Sequence, residues 1–135
     1  MLALWRVSDP GNVGTLLRAA DAFDAGVSLS PECADPTGPR ALRASAGAIF
    51  RVPLVDWESV PERKIALVAH GGAPLADADV TPPVTFLLGA ERDGLPDTLL
   101  EECHKASIPT PGDAESLNVA AAGAIALYEL SRRAS

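Results

Sequence analysis

Aromatic residues make up only 4% of the 135 positions, so the core cannot be built on large rings. Ala, Val, Leu and Ile must fill it, which suits closely approaching helices and parallel strands. Long apolar runs are missing as well. No stretch reaches the length of a membrane span, and the N-terminus has no basic region followed by an apolar one, so a soluble, cytoplasmic protein with no membrane partner is expected. Cysteine is limited to Cys33 and Cys103, with no CxxC pair and no His beside either at ligand spacing. Both read as free thiols, and no metal is expected. Finally, there is no excess of basic charge. A net charge of -7 speaks against a nucleic-acid partner, because phosphate binding is dominated by Lys and Arg. The distribution weakens that objection: Arg6, Arg18, Arg40, Arg43 and Arg51 balance Asp9, Asp21, Asp24, Glu32 and Asp35 in the first 55 residues, and the whole acidic surplus lies after them.

What is present is enough apolar mass, 47% of the chain, for one core. Strand-like segments alternate with helix-like ones throughout. Leu2 to Val7 reads as a strand and Asp9-Pro10-Gly11 as a turn, with Asn12 in the position of a helix N-cap. Val13, Leu16, Leu17, Ala20 and Phe23 then recur with helical period. Gly26 to Ser30 reads as a second strand, Pro39 to Ala46 as a short helix entered through its proline, and Ile49 to Val55 as a third strand. A polar helix is expected over Trp57 to Arg63 and a fourth strand over Ile65 to Ala69, ending at His70-Gly71-Gly72. Val84 to Leu88 is a continuous apolar run of the kind a central parallel strand shows. A Gly-rich turn, a helix near Pro96 to Cys103 and a strand at Ser107 to Pro109 lead into a last, almost wholly apolar helix, Val119 to Leu130. The alternation implies an α/β fold with a mainly parallel sheet flanked by helices, in which ligands gather beyond the C-terminal strand ends.

Three constellations could carry chemistry. In the first, Asn12 to Asp21, Gly14 and Arg18 lie four apart on one helix face, and the glycine leaves room for something to approach beside the guanidinium. The structural alternative makes Asn12 a cap, Gly14 a packing contact and Arg18 a partner of Asp21 or Asp24. The second is Leu88 to Pro96, with Gly89 and Gly94 flanking Glu91. Its spacing is neither that of a P-loop nor that of a dinucleotide fingerprint. Glu91 either faces a ligand or hydrogen-bonds loop amides. The third is Ile108 to Asn118, a Pro/Gly/Asp loop in which Ser116 can cap the last helix and Asn118, if buried, needs a partner.

Together these segments resemble the three motifs of the SpoU, or TrmH-like, branch of the SPOUT RNA methyltransferases. The first is Asp9-Pro10-Gly11-Asn12-Val13-Gly14 through Arg18 to Phe23. The second is Leu88-Gly89-Ala90-Glu91 to Gly94-Leu95, and the third is Ile108-Pro109 to Ser116-Leu117-Asn118-Val119. The run Arg43-Ala44-Ser45-Ala46-Gly47-Ala48 also resembles the family, and the likeness covers nearly the whole chain in order.

The resemblance implies a single methyltransferase domain over residues 1–135 with a C-terminal trefoil knot, working as a homodimer. It further implies S-adenosyl-L-methionine as cofactor, held by Gly89, Ile108 and Leu117 with Glu91, Gly94, Pro109, Ser116 and Asn118 shaping the pocket, and with the strand end at Ala69-His70 as a further wall. The implied reaction is methyl transfer to a ribose 2'-hydroxyl of rRNA or tRNA. Arg18, presented to the other subunit's cofactor, leads a catalytic set with Asn12, Glu91, Ser116 and Asn118. A guanidinium stays protonated, so Arg18 fits a role in orienting the hydroxyl and stabilising developing charge. Ala120 to Ala124 offers a small-residue surface for a dimer or for the sheet. Asp93 stands where the family usually has Gly, and Ala90 where it often has Ser. The sequence begins almost at the first strand, so no separate N-terminal RNA-recognition domain is expected. A catalytically weak, cofactor-binding dimerisation module is the alternative.

Overall fold

The computed structural model describes residues 1–61, 63–90, 92–112 and 116–134. One parallel sheet organises them, with strands β1 (Leu2–Leu4), β2 (Val27–Leu29), β3 (Leu54–Val55), β4 (Lys64–Leu67), β5 (Ala73–Pro74), β6 (Thr85–Leu88) and β7 (His104–Ser107). Their order is β3-β2-β1-β6-β4-β7-β5, and every pairing is parallel. The run around Val84 takes the central place its composition implies: all four β6 residues are buried, Leu2 pairing with Phe86 on one side and Ile65 on the other. A strand covered on both faces has no use for polar alternation.

Helices α1 (Pro10–Ala22), α2 (Pro39–Ser45), α3 (Asp97–Leu100) and α4 (Val119–Ala134) complete the regular structure. Val13, Leu16, Leu17 and Ala20 form the buried stripe of α1. Two glycines set how tightly the helices pack. A Cβ on Gly14 would lie 2.6 Å from the Cβ of Ala44 and would also strike the Ala41 carbonyl, so α1 and α2 meet backbone to backbone. A Cβ on Gly123 would strike Leu16 of α1 and reach within 3.1 Å of Leu88, which brings α4 down onto α1 and the sheet. Gly14 is therefore closed by α2, and the open space expected beside Arg18 is filled. Packing is its role.

Several local expectations are corrected. Asp9, not Asn12, caps α1, its carboxylate accepting from the N–H groups of Gly11 (2.7 Å) and Asn12 (3.3 Å). Pro10 can then occupy the first helical position, where its missing N–H costs nothing. The segment read as a third strand holds a 3-10 turn at Ala48–Phe50 and only two strand residues. The polar helix expected from Trp57 is a single 3-10 turn, Trp57–Ser59. The strand expected at Ser107 to Pro109 lies earlier, at His104–Ser107, because pairing with β4 sets its register. Strand β5 has no counterpart in the sequence reading.

Among the described residues both cysteines are free, no cluster of His, Cys, Asp and Glu could hold a metal, and no helix is long and apolar enough to cross a membrane.

Candidate functional site

The ends of β4, β6 and β7 open into a cleft of about 580 Å³. Its floor is apolar, from Leu67, Leu88, Leu100 and Val119. Its rim comes from two loops, one leaving β6 and one linking β7 to α4. That volume and this mixture of apolar walls with exposed loop backbone suit a small organic ligand.

The loop after β6 is a tight reversal. Gly94 donates its N–H to the Ala90 carbonyl (3.0 Å), and the two residues pair as an isolated antiparallel bridge. Such a fold has two requirements. Gly94 has φ 62, in the left-handed region, and a Cβ on Gly89 would sit 2.6 Å from the carbonyl carbon of Gly94. Glycine at both positions follows from the loop's shape, and the loop's shape leaves a wall made mainly of backbone.

The second loop delivers Ile108, Thr110, Ser116, Leu117 and Asn118 to the opposite rim. The start of α4 is capped by Asn118, whose Oδ1 accepts from the N–H groups of Ala120 (2.8 Å) and Ala121 (3.1 Å). Ser116, expected in that role, lies two residues earlier and lines the cleft instead. The Asn118 amide has a second task. Its Nδ2 donates to Asn12 Oδ1 (3.1 Å), tying the start of α4 to the first turn of α1 across 106 residues. The double contact uses two atoms of one amide, an acceptor and a donor: an Asp carboxylate lacks the donor, and a Ser hydroxyl has one short-reaching oxygen for both tasks.

The structure thus brings together most of the residues singled out in the sequence. Gly89, Gly94, Ile108, Ser116, Leu117 and Asn118 all line one cleft, and Asn12 is joined to it through Asn118. Ala69 lines it too, whereas His70 does not. Pro109 stands between two lining residues without lining the cleft itself. Glu91 lies outside the described residues. Arg18 is not part of the lining: it is exposed on α1 and has no hydrogen bond or ion-pair partner among the described residues. The carboxylates offered as its structural partners do not hold it. Asp21 is taken by Arg51, whose Nε and Nη2 donate to it at 2.9 and 2.7 Å, and that guanidinium holds the Asp21 carboxyl below the usual range.

Sequence reasoning missed Leu67, Val68 and Leu100, which line the cleft as ordinary core-type residues with no signal to mark them. It also passed over Trp5-Arg6, immediately after β1. Two bulky side chains at a strand end in so aromatic-poor a chain were the available signal.

A parallel α/β sheet with a ligand cleft built from glycine-bearing loops at its strand ends defines a small-molecule-binding α/β domain. Comparison makes the assignment specific. The model of the SpoU rRNA Methylase family matches residues 1–128, and the chain belongs to that family. It is 38% identical to an uncharacterized tRNA/rRNA methyltransferase of Synechocystis sp., over 98% of this chain and 53% of that protein. It is 34% identical to the 23S rRNA (uridine(2479)-2'-O)-methyltransferase of Streptomyces viridochromogenes, over 95% of this chain and 50% of that one. The chain therefore spans about half the length of these curated relatives. Among solved structures it superposes on the SpoU methyltransferase AviRb of Streptomyces viridochromogenes in complex with AdoMet, with a TM-score of 0.89 at 32% identity, over 98% of this chain and 59% of that one. It matches equally well, at 0.89 and 31% identity, a structure described as giving insights into the 2-OH methylation of C/U34 on tRNA, covering 98% of this chain and 89% of that one.

Proposed function

We propose that this chain is the S-adenosylmethionine-dependent domain of an RNA methyltransferase that modifies a ribose 2'-hydroxyl of rRNA or tRNA, with residues 1–135 forming a single methyltransferase domain. The observation that carries this reading is the cleft: two loops distant in sequence, each resembling a family motif, converge on one cavity of suitable size, and Asn118 ties its mouth to Asn12 of α1. Two relatives of this chain, AviRb among them, have been solved with AdoMet bound.

The lining fits the cofactor's chemistry. Leu88, Leu100 and Val119 offer apolar surface to a purine, and the loops at Gly89, Ile108 and Leu117 offer backbone groups to its polar edges. When bound, the cofactor supplies an electrophilic methyl group on a sulfonium. The chain's own task is then to place a ribose hydroxyl in line with that methyl and to favour loss of its proton. Asn118, fixed by its cap and its bond to Asn12, orders the cleft's mouth. Ser116 lines the cleft and joins Glu91 in the set that the family resemblance implies, with Pro109 setting the course of the second loop.

Arg18 acts in this reading across a homodimer, orienting the hydroxyl and stabilising developing negative charge. Its exposure and freedom from partners support that role. So does the outer face of α4, where Ala121, Ile125 and Tyr128 recur at helical spacing and the latter two are 39% and 59% exposed, an apolar strip that a second copy would cover. The family's trefoil knot over the C-terminal third and a cytoplasmic location belong to the same proposal.

The test is incubation of the chain with labelled S-adenosylmethionine and unmodified rRNA and tRNA, followed by mapping of 2'-O-methyl sites. Arg18→Ala is expected to lower transfer by about 10²- to 10³-fold, as loss of one stabilising donor does, while cofactor affinity stays near wild type. Wild-type turnover in that variant would remove Arg18 from the mechanism. Cofactor binding with no methylation of any RNA would instead assign the weak dimerisation module, the reading that the net charge of -7 favours.

A further inference from the structure

A second groove, of about 700 Å³, lies on the far side of the loop that follows β6. Trp5, Arg6, Ser8 and Asp9 form one wall, and Arg92 and Pro96 lie on the other. Ala90, Arg92, Asp93 and Gly94 line both this groove and the cofactor cleft, so a single short loop separates them. Trp5 is anchored at the root of that loop, its N–H donating to the Leu88 carbonyl (2.8 Å).

The groove's wall is built around flat groups. The Arg6 guanidinium carbon lies 4.8 Å from the centroid of the Trp5 ring, and the Trp57 ring packs on Trp5 with centroids 5.7 Å apart and a 41° tilt. Arg6 holds this pose at φ 50, a conformation that non-glycine residues rarely adopt, and Glu32, at φ 73, grips its Nε at 2.8 Å. The Arg6 N–H donates to Ser30 Oγ (2.8 Å), fixing the backbone as well. Strained backbone kept in place by so many contacts is found where a side chain must be presented in one orientation.

We propose that this groove seats an unpaired nucleobase of the RNA, next to the nucleotide whose ribose is methylated, by stacking on the Trp5–Arg6 surface. The proposal rests on RNA being the methyl acceptor. Guanidinium planes and indole rings are the surfaces on which splayed-out bases stack in single-stranded RNA recognition. The charges select a base over a phosphate. Glu32 compensates Arg6, and Asp9 and Asp93 offset Arg92 along the groove, which leaves no net positive charge to draw a phosphate and offers acceptors to the amino and imino groups of a base edge. Stacking in place of phosphate contacts also explains how a chain with net charge -7 could hold RNA.

Trp5 and Trp57 are the protein's only tryptophans, so its intrinsic emission reports on this site. The 135-residue chain is titrated with an unstructured octaribonucleotide and, separately, with an abasic octamer carrying the same phosphates. The Trp57→Phe variant leaves Trp5 as sole emitter. Quenching by the base-bearing strand but not by the abasic one is expected, with Arg6→Gly, a residue suited to φ 50, weakening that binding about tenfold. Equal quenching by both strands, no quenching at saturating RNA, or unchanged affinity in Arg6→Gly would overturn the base seat. Cofactor binding, followed by calorimetry, is expected to be the same in Arg6→Gly as in wild type. Quenching that persists when the chain methylates no RNA would overturn the enzymatic reading alone, and methylation without quenching would overturn the base seat alone.

Discussion

The two halves of the sheet end differently. Beyond β1 and β2 the chain closes over its own strand ends: Ser30 donates its N–H to the Leu4 carbonyl (2.9 Å), Cys33 Sγ reaches the same carbonyl at 3.3 Å, and Ala34 N–H caps Val7 (2.9 Å). Beyond β6, β4 and β7 the loops stand apart, and a cavity is left between them. Both halves share one parallel architecture and one core. The difference lies in the loops: the cofactor cleft forms where the connections do not fold back into the strand ends, whereas the closed end of β1 contributes only a wall to the second groove.

Substitutions can break or sharpen this contrast. The largest effect is expected on the closed half. Leu17 of α1 is fully buried, and Leu17→Ala removes apolar contact and leaves a cavity, at a cost of about 2–5 kcal/mol in chemical denaturation. If the open half is organised by its loops, that variant, while folded, keeps its cofactor affinity. Gly89→Ala reverses the pattern. Its Cβ meets the Gly94 backbone, the loop must shift, and cofactor affinity in calorimetry is expected to fall at least tenfold, with overpacking destabilising the fold by about 1–3 kcal/mol at most. Equal losses of stability and affinity in both variants would erase the distinction between the halves.

Asn118→Ala lies between them. Loss of the cap is expected to cost about 1 kcal/mol, and loss of the bond to Asn12 unties α4 from α1 at the cleft's mouth. Asn118→Ser restores a cap but not the tie to Asn12. Cofactor affinity should therefore stay low in Asn118→Ser while stability recovers, and recovery of both would show that capping is the residue's only contribution.

The smallest effect is electrostatic and lies far from the cleft. Hydrogen bonds from Arg132 and Arg133 hold the Glu129 carboxyl down at about 2. A carboxyl lowered in the folded state stabilises above its unfolded value, and that contribution is lost as pH falls from the ordinary glutamate range toward 2. Thermal melts of wild type and Glu129→Gln should therefore differ slightly at pH 6 and converge near pH 2. Arg133 also donates to the Leu75 carbonyl (2.6 Å), so the convergence tests whether the C-terminal helix is tied to the loop after β5 through this network. A difference that is constant from pH 6 to pH 2 would show that Glu129 contributes through packing alone.

Much of the framework beneath both halves was legible from residue order. The helical period from Val13 to Ala20 marked the buried face of α1, and the unbroken apolar run before Gly89 marked the central strand. Caps were harder to read. Asp9 and Asn12, like Ser116 and Asn118, are all good cap formers, and which one caps depends on where the helix's first N–H groups point. Register was likewise hidden: His104 to Ser107 became strand because Ile65 to Leu67 stood beside it to pair with.

In the open half, sequence marked the two loops by their glycines, prolines and motif likeness, but not their meeting. Local composition alone determined an α/β class, a ring-poor core and two loops unfit for regular structure. The tertiary structure decided that Gly14 is filled rather than open, that Asn12 and Asn118 touch across 106 residues, and that Trp5 stands against the β6 loop. The physical reason is common to all three. Each depends on contacts between segments distant in the chain, and such contacts are set by strand order and helix packing, which no local pattern encodes.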